Sequence, residues 1–157
     1  MNLIFSEGVL QSEIDSFFKE DPTLAYLALS DNDLCELYET KSLAIKDSSV
    51  YFKVCDGSDI VSIIKCEKFS EMAVCAHVYV ASRYHHKGVY PKVCDLLVDY
   101  LLEHTGFTKV VLTVPKPCEH VSKAAIKYGM RLEAELKDIV IWRQKVVNLL
   151  YYILDIR

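Results

Sequence analysis

Apolar positions along this chain change their spacing several times, and each change predicts an element. Residues 3–5 read as a short strand. Over residues 9–19, Leu10, Ile14, Phe17 and Phe18 recur with helical period until Asp21-Pro22 stops the run. A second helix is predicted over residues 33–41, where Leu34, Leu37 and Tyr38 share a face and Asp31 or Asn32 is available as a cap. Residues 23–29 fit neither period. Val50, Phe52 and Val54 then alternate with Tyr51 and Lys53, Asp56-Gly57 supplies a hairpin turn, and residues 60–66 run back. Residues 72–81 are apolar on both faces, with Val74, Val78 and Val80 between Cys75, His77 and Tyr79; such a strand is covered on both sides.

The helical period returns at Val89. Val89, Val93, Leu96, Leu97, Tyr100 and Leu101 form one stripe, and Asp95, Asp99 and Glu103 the opposite one. Pro91 suits the first turn and Gly106 the end of the helix. A strand over 109–114, a helix over 118–128 closed by Gly129, and two strands within 131–157 complete the pattern. The predicted fold class is α/β: a mixed sheet of about six to seven strands with helices on both faces. No repeat or linker divides it, so residues 1–157 are expected to form one domain.

Composition narrows the class. The 157 residues are 52% hydrophobic and 25% charged, the make-up of a globular chain able to bury one core. A net charge of −4 argues against nonspecific binding to nucleic acid or an anionic membrane. Residues 1–10 are only briefly apolar and lack a leading Lys or Arg, so no secretory signal is expected. Apolar runs such as 149–154 fall far short of the roughly 20 residues that a spanning helix needs. The six cysteines (Cys35, Cys55, Cys66, Cys75, Cys94 and Cys118) form no CxxC pair, and four lie in apolar periodic segments. Buried thiols in a reducing, cytoplasmic compartment are the expected reading. Adjacent His85 and His86 have no Cys or carboxylate at ligand spacing, so no metal is expected.

The segment that carries chemistry is residues 80–90, VASRYHHKGVY. A buried strand feeds a basic loop, a glycine and an amphipathic helix. A helix start offers amides without intrahelical partners and the positive end of the helix dipole, which together suit an anion such as a pyrophosphate. A capped helix start with surface histidines accounts for the same spacing, since a single glycine is weak evidence.

With Val80 at the strand end, Tyr84 in the turn, His85 at an Arg/Gln position, Gly88 as a first glycine and Tyr90 at a final Gly/Ala position, the segment resembles the phosphate loop of the GNAT superfamily of acetyl-CoA-dependent N-acetyltransferases. Lys127-Tyr128-Gly129-Met130 is similar to that family's Lys-x-Gly-Phe helix ending, and the order of elements agrees from about residue 50 to 155. The resemblance implies acetyl-CoA as co-substrate and direct transfer of its acetyl group to an amine. It implies that the main chain of Val78 and Val80 pairs with the pantetheine arm where two strands splay. It further implies that amides of His85, His86, Lys87, Gly88, Val89 and Tyr90 wrap the pyrophosphate, with the amine entering beneath the early helices.

Three positions depart from the family pattern besides His85. Tyr90 is bulky where a small residue lets the backbone close on phosphate, Cys118 stands at a frequent Asn, and Ala125 at a frequent Tyr acid. His77 is the candidate general base, because an imidazole titrates near neutrality; a half-buried structural histidine fits its strand position as well. The departures leave two further readings open. One is a catalytically degenerate GNAT-fold module with protein partners, similar in layout to GNAT-like head-assembly proteins of short-tailed bacteriophages. The other is an acyl-CoA-binding sensor without turnover.

Overall fold

The structure is a computed structural model that describes residues 1–43 and 48–157. Its elements are β1 (Leu3–Glu7), α1 (Gln11–Glu20), α2 (Pro22–Ala28), α3 (Asp31–Thr40), β2 (Ser49–Asp56), β3 (Asp59–Lys68), β4 (Ala73–Val80), a single 3₁₀ turn (Ser82–Tyr84), α4 (Val89–His104), β5 (Lys109–Pro115), α5 (Glu119–Tyr128), β6 (Arg131–Trp142) and β7 (Lys145–Asp155). The seven strands form one sheet in the order β1-β2-β3-β4-β5-β7-β6. Every pairing is antiparallel except β4 with β5, so the sheet is mixed as the pattern predicts.

The parallel pair positions the site. β4 and β5 pair only from Ala73↔Lys109 to Cys75↔Val111. Beyond Cys75 the β5-facing edge of β4 has no strand partner, while its other edge stays paired with β3 through Ser62↔Val80. The sheet therefore opens into a fork at Cys75, and residues 76–80 form one arm of it.

Helices cover the two faces unequally. On one face α4 buries Val89, Val93, Cys94, Leu97 and Leu101 against Phe52, Val54, Ile64, Val74, Ala76 and Val80. Each fully buried aliphatic side chain there contributes roughly 1.5–3 kcal/mol. α5 lies on the same face, over Leu112, Val114, Leu150 and Tyr152. On the other face α1–α3 pack Ile14, Phe17, Phe18, Leu24 and Leu37 against Ile63 and Ala81.

Residues 23–29, which fit neither period, fall in the short helix α2 and its C-cap Leu29. Asp21, read as a stop, also caps the start of α2 by accepting from the Leu24 amide at 3.0 Å. The cap of α3 is Ser30 rather than Asp31 or Asn32: its hydroxyl accepts from the Asp33 amide at 3.1 Å. Gly106 does not close α4. Thr105 does, through its amide and its hydroxyl, both donated to the Leu101 carbonyl. Gly129 ends α5 with a left-handed φ of 105°, a conformation that glycine adopts without Cβ strain.

Candidate functional site

The loop after β4 is built from the residues singled out in the sequence, held by one that was not. Asp21 accepts from the Ser82 amide at 2.6 Å and from the Ser82 hydroxyl at 2.8 Å, across 61 residues of sequence. Arg83 and the Tyr84 hydroxyl both bond to Asp59 at the β2–β3 turn. These bonds fix the 3₁₀ turn, and the chain then turns sharply: His86 and Gly88 both adopt left-handed φ, 61° and 69°. Histidine is among the non-glycine residues that tolerate this region. A Cβ added to Gly88 would meet nothing within 4 Å, so backbone conformation alone asks for glycine.

Two of the expected ligands are already engaged. The His85 amide donates to the Ser82 carbonyl at 3.0 Å, so it is unavailable to a pyrophosphate. The His85 ring lies 2.8 Å from the Val80 carbonyl; because a carbonyl only accepts, Nε2 carries the proton there. The Val80 carbonyl is thus occupied from within the chain. By contrast, the amides of His86, Lys87, Gly88, Val89 and Tyr90 have no backbone partner of good geometry outside the helix ladder among the described residues. They share one sharp turn at the start of α4, whose cap residue Gly88 offers no side chain, and His86 and Lys87 are exposed beside them. Lys87 Nζ lies 5.8 Å from the centre of the Tyr84 ring. The arrangement suits an anion, over one residue fewer than the sequence implies.

Tyr90 does not lie across those amides. Its ring turns back into the fork, where it lines a narrow cleft with Ala76, Val78, Cys94, Tyr128 and Leu154. Burial pushes its phenol well up from the usual value, with the neighbouring Cys94 thiol as the next cause. The cleft keeps a volume of about 30 Å³. The residues present therefore suit the diphosphate end of an acyl-CoA, whereas the cleft beside them, as Tyr90 lines it, is too narrow for a thioester arm.

His77 sits on the opposite face of β4, two residues past the fork. Cross-strand register places it in a row with Lys65 and Tyr51, and Cys75 in the next row with Glu67 and Ser49. Glu67 accepts from Ser49 Oγ at 2.8 Å and pairs with Lys65 at 3.0 Å. His77 Nε2 is 3.5 Å from the Cys75 sulfur, and its ring lies nearly parallel to that of Tyr79, 6.3 Å away. Burial, reinforced by Lys65 and opposed by Glu67, lowers its pKa from 6.5 to about 4. The imidazole is neutral at pH 7, but burial makes it a weaker base than the near-neutral titration that singled it out in the sequence implies.

The tip of the β6–β7 hairpin reaches this side. Arg143 lies between Trp142 and Tyr26, with its guanidinium carbon 3.8 Å and 4.4 Å from their ring centres. It bonds to Asp31 at 2.7 Å and to the Leu29 carbonyl at 3.0 Å, and Asp31 also accepts from the Gln144 amide at 2.9 Å. Left-handed Arg143 and Gln144 make the tight turn. Neither this clasp nor the Asp21 anchor leaves a trace in sequence spacing, because each joins residues far apart in the chain.

Cys118 and Ala125 are both buried in the core beneath α5, and burial raises the Cys118 thiol pKa. All six cysteines are free thiols. Among the described residues no group of three His, Cys, Asp or Glu side chains is placed to hold a metal ion, and no helix is long and apolar enough to cross a membrane.

The profile of the Acetyltransferase (GNAT) family matches residues 7–130. No curated protein matches the sequence significantly. Among solved structures, the chain is similar to a spermidine N-acetyltransferase chimera of Vibrio cholerae SpeG and hSSAT, with TM-score 0.75 and 16% identity over 99% of this chain and 96% of that one. It is also similar to the Vibrio cholerae spermidine N-acetyltransferase in complex with CoA and spermine, with TM-score 0.74 and 12% identity over 98% and 95%. A third match is smu.2055 of Streptococcus mutans UA159, with TM-score 0.70 and 17% identity over 98% and 99%. These identities speak for a shared fold, and none of these matches supports the resemblance to phage head-assembly proteins. With most of its length matched by the family profile and its mixed sheet forked at the expected strands, the chain belongs to the GNAT acetyltransferase family.

Proposed function

We propose that this chain is an acyl-CoA-dependent N-acetyltransferase acting on a primary amine. The observation that carries the reading is the run of amides from His86 to Tyr90, without a well-formed backbone partner outside the helix ladder, at the open end of β4, with an imidazole on the reverse face at the fork. Acetyl-CoA would supply the activated acyl group. The amides and the helix dipole would hold its diphosphate, with Lys87 adding positive charge nearby. The neutral amine would attack the thioester carbonyl, its C–N bond forming as the C–S bond breaks and the CoA thiolate leaves to take a proton from water. His77 would accept the proton that the nitrogen sheds once bonded to the acyl carbon, where it is far more acidic than in the free ammonium. Glu67, across the strand, would favour the imidazolium that results. A family relative bound to CoA and spermine is consistent with such a pair of ligands. The filled cleft at Tyr90 favours the second reading, a GNAT-fold module without turnover.

Thiol release from acetyl-CoA across a panel of amines, spermidine included, separates the two. Turnover is expected in the wild type, with kcat lowered about 100-fold or more in His77→Ala and KM for acetyl-CoA unchanged. Thiol release from no amine, together with no binding of acetyl-CoA at millimolar concentration, would leave the module.

A further inference from the structure

α4 and α5 flank the gap beyond the fork, and three side chains close it. Tyr90 enters from the first turn of α4 and Tyr128 from the last residue of α5. The Tyr128 hydroxyl donates to Asp95 Oδ1 at 2.8 Å and so ties α5 to α4 across the gap. The remaining volume of about 30 Å³ holds about one water. Pockets that enclose ligands span roughly 300–1,000 Å³. A flexible thioester arm and the Tyr90 ring therefore exclude each other.

The closure is built to open. Tyr90 lies two residues after the left-handed Gly88, in the first turn of α4, and Tyr128 directly precedes the left-handed Gly129, so both rings sit at helix ends and not within a helix interior. Asp95 is exposed, and the hydroxyl and carboxylate find water when their bond breaks. The Tyr90 amide also belongs to the run that suits an anion. One residue thus joins the loop that would grip a diphosphate to the ring that blocks the adjoining gap.

We propose that Tyr90 and the Tyr128–Asp95 hydrogen bond form a latch over the gap between α4 and α5, and that an acyl-CoA enters only when the Tyr90 ring swings out and the bond parts. The inference rests on the acyl-CoA reading above. A latch of this kind lowers apparent affinity by the fraction of molecules that are open, and weakening it restores that affinity. The effect is confined to ligands that carry the arm.

Calorimetry on the full chain tests it with two probes: acetyl-CoA, and ADP, which has the diphosphate without the arm. Asp95→Ala and Tyr128→Phe, which part the bond between the helices, are each expected to tighten acetyl-CoA binding by about tenfold while leaving ADP binding within about twofold, and Tyr90→Ala is expected to tighten acetyl-CoA binding as well. Tyr90→Phe keeps the ring but loses the hydroxyl's bond to the Cys94 thiol, and is expected to tighten acetyl-CoA binding by less than Tyr90→Ala. Because Asp95 is exposed, Asp95→Ala answers the question even if Tyr90→Ala unfolds. Equal acetyl-CoA affinity in wild type, Tyr90→Ala and Asp95→Ala, with ADP bound by all three, overturns the latch and leaves the acyl-CoA reading standing. Failure of both probes to bind any of these proteins overturns both.

Discussion

On the side of β4 that faces α4, Val74, Ala76 and Val80 are at most 5% exposed, and all are apolar. On its other side Cys75, His77 and Tyr79 present a thiol, an imidazole and a phenol toward the layer that holds α1–α3, where Tyr79 packs edge-on against Phe18. The same backbone serves both. The difference lies in what the neighbours offer: the α4 side supplies hydrocarbon, while β3 supplies Lys65 and Glu67 opposite His77 and Cys75. A polar group survives burial only where partners exist. The strand's two-residue period therefore separates a packing surface from a chemical one.

The largest effect is expected from breaking the packing surface. Ala76→Asp places an unpaired carboxylate beneath α4 and is expected to cost more than about 4 kcal/mol, enough to abolish a cooperative thermal transition near physiological temperature. A transition that survives with a small shift would mean that the α4 side is wet. The chemical surface responds to pH instead. Because folding lowers the His77 pKa from 6.5 to about 4, the unfolded chain binds the proton first as pH falls. Stability present above pH 6.5 is lost through that window, by up to about 3 kcal/mol. Denaturant melts between pH 7 and 4 should show His77→Gln losing less stability than the wild type over this range. Parallel slopes would assign the acid sensitivity to other groups. The smallest effect concerns the helices that cover this side. Ser30→Ala removes the α3 cap and is expected to cost about 1 kcal/mol. The acetyl-CoA binding proposed for the open end of β4 should not change; a change in calorimetric affinity would join the two surfaces.

The sequence carried the element order and the glycine before α4, because both depend on local periodicity and backbone freedom. It also carried the two-sided burial of β4, which shows in Val74, Val78 and Val80 against Cys75, His77 and Tyr79. It did not carry the state of individual hydrogen bonds. His85 was a natural candidate for holding the anion, yet its amide closes a 3₁₀ turn and its ring occupies the Val80 carbonyl, a geometry that depends on the pitch of the loop. Tyr90 was legible as a bulky residue where a small one belongs. The direction of its ring was not, since that is set by Cys94 one turn on and Tyr128 from another helix. The Asp21–Ser82 bonds and the Arg143–Asp31 pair join residues 61 and 112 positions apart, beyond any local pattern.

The Arg143 clasp also bears on how locally the molecule can open. Arg143 and Asp31 lie 112 positions apart, so their contact closes a long loop and holds only the tip of the hairpin. The Arg143 and Gln144 amides, held by one carboxylate at the end of a two-stranded arm, should then exchange with solvent deuterium well before those of β3 at the centre of the sheet. The hairpin tip is then a hasp, able to loosen while the core beneath stays folded.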